Sequence, residues 1–173
     1  MATSFDTTAI DSAKGCKPAH TPVSRAFNHL LAQLESFVAH EKSVDAPGID
    51  ILSESFRKRL ANAEAAREAL SEAVGDVLVA PDCRPEDRAL RRLAHLLYVK
   101  LTTEDDRGRQ HFYASTVRHR DIFNIDGQSP AARLTRRLSQ SFFSHFDDLA
   151  NLREFGGEGP FVCPETDFAP VPA

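Results

Sequence analysis

Residues 85–101, PEDRALRRLAHLLYVKL, decide the fold. Pro85 suits a first helical position, where its missing N–H leaves no hydrogen bond unmade. Glu86 and Asp87 set negative charge against the positive end of a helix dipole. Leu90, Leu93, Leu97 and Leu101 then recur at steps of three and four, which draws one apolar stripe along a helix. Arg88, Arg91, Arg92 and His95 fall on the other side. The stretch reads as a central member of a helical bundle, leucine inward and cationic outward.

The segments around it carry the same signature. Thr21-Pro22 marks a helix start, followed by Val23, Phe27, Leu30, Leu34, Phe37, Glu41 and Val44 in a seam broken only by the glutamate. Packing inside a bundle accounts for this seam, and a homodimer through the same helix is the alternative. Ala46-Pro47-Gly48 interrupts the chain. A second helix is expected from about Asp50 to Val79, with Leu52, Phe56, Leu60, Ala63, Leu70, Val74 and Val77 inward. Thr102–Arg109 is polar and reads as a loop or a frayed helix end. Gln110–Phe123 fits a short helix or a pair of strands, and its helical neighbours favour helix. The last helix opens at Ser129-Pro130, buries Leu134, Leu138, Phe142, Phe146, Leu149 and Leu152, and closes at Gly156-Gly157. The expected fold is therefore all-α: an antiparallel bundle of four to five helices over residues 21–155. A flexible N-terminal arm over 1–20 and an extended, Pro-rich C-terminal tail over 156–173 flank it.

At 173 residues, 42% hydrophobic and 27% charged, the chain has the length and balance of one globular domain with a real core. It holds no apolar run long enough for a bilayer, and its first residues lack the pattern of a secretion signal. Cys16, Cys83 and Cys163 are odd in number and without CxxC spacing, which points to a reducing, cytoplasmic setting. The net charge of −4 is unevenly spread. Residues 84–137 carry 12 basic and 7 acidic side chains, while the segments on either side are acidic. This block either pairs with its acidic neighbours inside the bundle or presents a basic surface to an anionic partner.

Groups able to make or break bonds do not gather anywhere in the sequence. The seven histidines lack the Glu-x-x-His or His-Glu-x-x-His spacing of a helical metal site. There is no nucleophile elbow, no phosphate-cradling glycine loop and no dinucleotide fingerprint. No catalytic residue, metal ligand or cofactor is expected. What remains are contact surfaces: Arg88, Arg91, Arg92 and His95 on the central helix, and Arg133, Arg136 and Arg137 at the start of the last one. The tail adds Phe161 and Phe168, since apolar side chains in an extended segment usually dock on something. Three arginines near the start of a helix oppose its dipole, so an anion or carboxylate is expected near them.

Three functional readings follow. A non-enzymatic role in protein–protein interaction, as regulator, adaptor or accessory subunit, fits the missing chemistry and the docking surfaces. Nucleic-acid binding through the Arg-rich 84–137 surface is the alternative, although that block is nearly without lysine and shows no helix-turn-helix pattern. The third comes from a resemblance. Arg91-Arg92-Leu93-Ala94-His95-Leu96-Leu97 resembles the phosphorylated helix of histidine phosphotransfer domains, which are also helical bundles. The resemblance implies His95 as phospho-acceptor in a phosphorelay. It covers seven residues; where those domains carry lysine and glycine three and four positions after the histidine, this chain has Tyr98 and Val99.

Overall fold

In the computed structural model, residues 20–48 and 50–156 are described. The expected arm over 1–20 (His20 apart) and tail over 156–173 (Gly156 apart), with Phe161 and Phe168, lie outside the described residues. Five α-helices follow in order: α1 Pro22–Val44, α2 Glu54–Val79, α3 Asp87–Thr102, α4 Asp106–Arg118 and α5 Pro130–Ala150. Short 3₁₀ turns follow α4 at Arg120–Phe123 and α5 at Arg153–Phe155, and there is no strand among the described residues. The all-α antiparallel bundle expected from apolar spacing is the observed architecture.

Four of the five helices, all but α3, begin where a side chain accepts from a free N–H group of the first turn. Thr21 and Ser24 form a reciprocal capping box at α1, and the hydroxyls of Ser53 and Ser129 accept from Phe56 and Ala132 at α2 and α5. Three starts differ from the sequence reading. α3 begins at Asp87, with Pro85 and Glu86 in the turn ahead of it rather than in its first turn. α2 begins at Glu54 rather than near Asp50, because the Asp50 carboxylate bonds Leu52 N–H in a local turn and Ser53 takes the cap. α4 begins at Asp106, inside the stretch expected to be a loop, because Asp105 accepts from Gly108 N–H. The ambiguous residues 110–123 are helical. α5 ends at Ala150 rather than at Gly156-Gly157; the chain turns through Arg153–Phe155 and closes at Gly156, whose φ of 88° favours glycine.

α1, α3 and α5 run in the same direction. Thr21 meets Asp87 and Ser129 meets Glu86 at one end, while Lys42 pairs with Asp148 at the other. α2 runs against them, with Arg59 donating to the Ser43 carbonyl. The fourth, descending limb is α4 and its 3₁₀ turn, laid along α5 through Tyr113–Phe146 and Phe123–Phe143 ring contacts. The core fills the space between these limbs with Phe27, Leu30, Leu34 and Phe37 of α1, Leu70 and Val77 of α2, Leu90, Leu93 and Leu97 of α3, and Phe142 and Phe146 of α5. Phe142 stacks on Phe146 and tilts against Phe27. The α1 seam is thus consumed inside the chain. Glu41, the exception in that seam, is half-buried, and burial followed by the nearby Glu154 and Asp45 carboxylates raises its pKa.

Two buried charges set the ends of the bundle. Asp87 accepts from Thr21 Oγ1 at 2.6 Å, Cys83 N–H at 2.9 Å and Arg84 N–H at 3.1 Å, so one carboxylate closes the α2–α3 corner and ties it to the α1 cap. Lys100 is 0% exposed; its ammonium donates to the carbonyls of Arg109 and Phe155 and lies 5.8 Å from the ring centroids of Tyr113 and Phe155. Burial, and then the Arg109 guanidinium beside it, bring its pKa down to about 8.

A lysine whose folded pKa lies below its unfolded value burdens the fold while it is charged, and the burden lifts as pH rises from the folded value toward the unfolded one. Stability of the wild type relative to Lys100→Met is therefore expected to rise between pH 8 and the ordinary lysine value of 10.5. Denaturant titrations of both proteins across that window provide the measurement. Curves that stay parallel over the window contradict this placement of the lysine.

Candidate functional site

The outward face of α3 is the most coherent surface that the candidate residues form. Residues 88, 92, 95 and 99 are separated by four, three and four positions, so they lie within a narrow arc of the helix. Arg88, Arg92, His95 and Val99 are all exposed, and the stripe runs about 16 Å along the axis at 1.5 Å per residue. Tyr98 flanks it. Tyr98 is 51% exposed and Val99 40%, so apolar and aromatic surface lies among the cations. The leucine face opposite leaves the helix no freedom to turn these residues inward.

The remaining candidates separate by a single question, whether the protein itself already holds the cation. Arg91 is one residue from Arg92 but about 100° around the helix. It donates to the Ala80 carbonyl and pairs with Asp82 at 3.0 Å, stitching the end of α2 to α3. Arg136 donates to the carbonyls of Ile125 at 2.9 Å and Gly127 at 3.0 Å, bracing the turn before α5. Those carbonyls are the partners that the sequence led one to look for near the start of α5, supplied by backbone instead of a carboxylate. Arg133 and Arg137 are exposed on the first turns of α5. Phe161 and Phe168 lie outside the described residues. Of the arginines in the basic block, Arg109 and Arg120 are also engaged internally, with the Glu154 carbonyl and the Asp147 carboxylate. Arg88, Arg92, Arg107, Arg118, Arg133 and Arg137 remain exposed, spread over α3, α4 and α5.

Sequence reasoning missed two features. Lys100 sits three residues after Leu97 on the leucine stripe, and that spacing was the available signal for a buried lysine. It borders a groove of about 510 Å³ lined also by Gln110, Tyr113, Asn151 and Phe155. Its ammonium is covered by the two carbonyls and two rings already named, so it acts as an internal brace. The second feature is the start of α2. Leu52, expected to face inward, is 83% exposed and Ile51 is 68% exposed; Leu60 is exposed as well. The apolar stripe of α2 continues toward its N-terminus past the level where α3 ends.

Among the described residues, no group of three or more His, Cys, Asp or Glu is placed to hold a metal ion, and no helix is long and apolar enough to cross a membrane. His95 stands mid-helix and exposed, as the resemblance to phosphotransfer helices implies. Val99 lies one turn further along the same face, where that resemblance calls for glycine to admit a receiver. Comparison with protein-family models, curated proteins and solved structures finds no match.

The division between held and unheld arginines is directly testable. Arg91→Ala is expected to cost about 1–2 kcal/mol, because it removes a carbonyl bond and a carboxylate pair. Arg88→Ala and Arg92→Ala are expected to change stability by no more than about 0.5 kcal/mol. Urea midpoints of the three variants decide it, and equal losses at all three positions would refute the assignment.

Proposed function

We propose that this chain is a non-enzymatic, cytoplasmic protein that works by binding another protein, as regulator, adaptor or accessory subunit, with the outer face of α3 as its contact surface. The observation that carries the reading is the composition of that face. Arg88, Arg92 and His95 share a stripe with exposed Val99 and with Tyr98 beside it. Arginine and tyrosine are the residue types that dominate binding energy at protein interfaces, combining apolar contact with directional bonding. A helix face of this kind suits a partner segment presenting carboxylates beside apolar side chains. The free cysteine Cys83 is exposed, in keeping with a reducing compartment.

Nucleic-acid binding draws support from the six exposed arginines alone. They are distributed over three helices, and the arginines between them are turned to internal partners. A phosphorelay role draws support from the exposure of His95 alone.

A photo-crosslinking residue placed at Tyr98 in cells, with and without Arg88→Glu and Arg92→Glu, tests the proposal. A discrete protein adduct from the wild-type face, reduced by the charge reversals and not formed from a control position at Glu68, is the expected result. Adducts no different from the control contradict it. A salt-sensitive gel shift with mixed nucleic acids that is lost in the same reversals would transfer the face to the alternative reading. Phosphoryl transfer to His95, lost in His95→Gln, would transfer it to the third.

A further inference from the structure

Residues of α5 and of the segment ahead of it line a groove of about 450 Å³. One wall is a stripe of α5 at steps of four, three and four, Arg136, Gln140, Phe143 and Asp147, with Ser144 beside it. The other wall is Arg120, Phe123, Asn124 and Ile125. Two guanidinium groups therefore border it, against the single carboxylate of Asp147. Asp147 Oδ1 accepts from Arg120 Nη2 at 2.7 Å and from the Tyr113 hydroxyl at 3.1 Å, so it is already doubly engaged. Arg136 has no carboxylate partner among the described residues; its charge is met only by the two carbonyl dipoles of the preceding turn. Arg120 lies 4.6 Å over the Phe143 ring, and its Nε is buried with no hydrogen-bond partner among the described residues.

We propose that this groove binds a small organic carboxylate, with the acid group on Arg120 and Arg136 and the apolar body against Phe123, Ile125 and Phe143. The volume is that of a small-molecule site, and the mixture of apolar wall with a few convergent polar groups is characteristic of such sites. Guanidinium forks match both carboxylate and phosphate. Charge separates the two. The lining carries one surplus positive charge, which a monoanion neutralises. A phosphate ester, at about −1.5 to −2, brings excess negative charge beside Asp147. Gln140 and Ser144 are exposed on the rim and supply polar contacts without internal duties of their own among the bonds described above.

The test is a titration of the full chain with benzoate, followed by amide chemical shifts, alongside benzyl alcohol and phenyl phosphate. Saturable benzoate binding in about the millimolar range is expected, with shifts centred on residues 120–125 and 136–147. Benzyl alcohol and phenyl phosphate are expected to bind at least about tenfold more weakly. Gln140→Trp fills the groove from an exposed position and is expected to weaken benzoate at least about tenfold while the protein stays folded. Arg136→Lys keeps the charge but loses the fork and is expected to weaken it by a similar factor. No saturable benzoate binding, equal binding in Gln140→Trp, or tighter binding of phenyl phosphate would each overturn the assignment.

Discussion

The carboxylate of Asp87 is the point at which three separate stretches of chain meet. It holds the hydroxyl of Thr21, which is itself the cap of α1, and the two backbone N–H groups of the corner that leads out of α2. A buried carboxylate is tolerable only when its oxygens are well bonded, and three donors here meet that condition. Because α1, α3 and α5 point the same way, their positive dipole ends gather at this end of the bundle. Asp87, with Glu86 bonded to the α5 cap residue Ser129, places negative charge there. The arginines at the start of α5 work against this arrangement, and Arg136 is accommodated by two carbonyl oxygens of the preceding turn.

The opposite end follows the inverse rule. Carbonyl groups just past α3, in the first turn of α4 and in the 3₁₀ turn after α5 are met by two cations, the buried Lys100 and the partly buried Arg109. Lys100 takes the carbonyls of Arg109 and Phe155, and Arg109 takes those of Thr103 and Glu154. Neither pattern includes a carboxylate partner for the lysine, and none is needed for its hydrogen bonds; burial first, and then the nearby Arg109 cation, lower its pKa. The rings of Tyr113 and Phe155 supply the rest of its surroundings. The result is a bundle held by its leucines and phenylalanines along its length and by opposite charges at its two ends. With α3 fixed at both ends and buried along one side, its outer arginines and histidine have no partner within the described bundle, which is why that face is the natural place to look for an external one.

Much of this was legible in the residue spacing, and the reasons for what was not are specific. Helices α1 and α5 announce themselves because Ser or Thr caps, prolines and apolar steps of three and four all agree, and α3 does so through its apolar steps without a cap. The start of α2 was misplaced because Leu52 fits a core spacing, and periodicity cannot tell an apolar side chain that extends past the bundle from one inside it. The start of α4 was misread because polarity concealed a capping arrangement, Asp105 on Gly108. Lys100 and Asp87 occupy stripe positions, yet a charged residue at a core spacing is usually discounted because solvent is its common fate. Arg91 and Arg92 differ only by rotation about the axis, so sequence alone grouped them while the corner at Ala80–Asp82 captured one and left the other outside. The groove along α5 depends on how the chain returns between α4 and α5, which no local pattern encodes.

The most direct measurement of the central claim is a double-mutant cycle on Thr21→Val and Asp87→Asn. If one carboxylate joins the α1 cap to the start of α3, the two substitutions share a lost interaction. Their combined effect is then expected to fall short of the sum of the single effects by about 1–2 kcal/mol, the worth of a hydrogen bond to a charged group. Effects that add to within about 0.5 kcal/mol would show that the two residues act independently and that the end of the bundle is held together by something else.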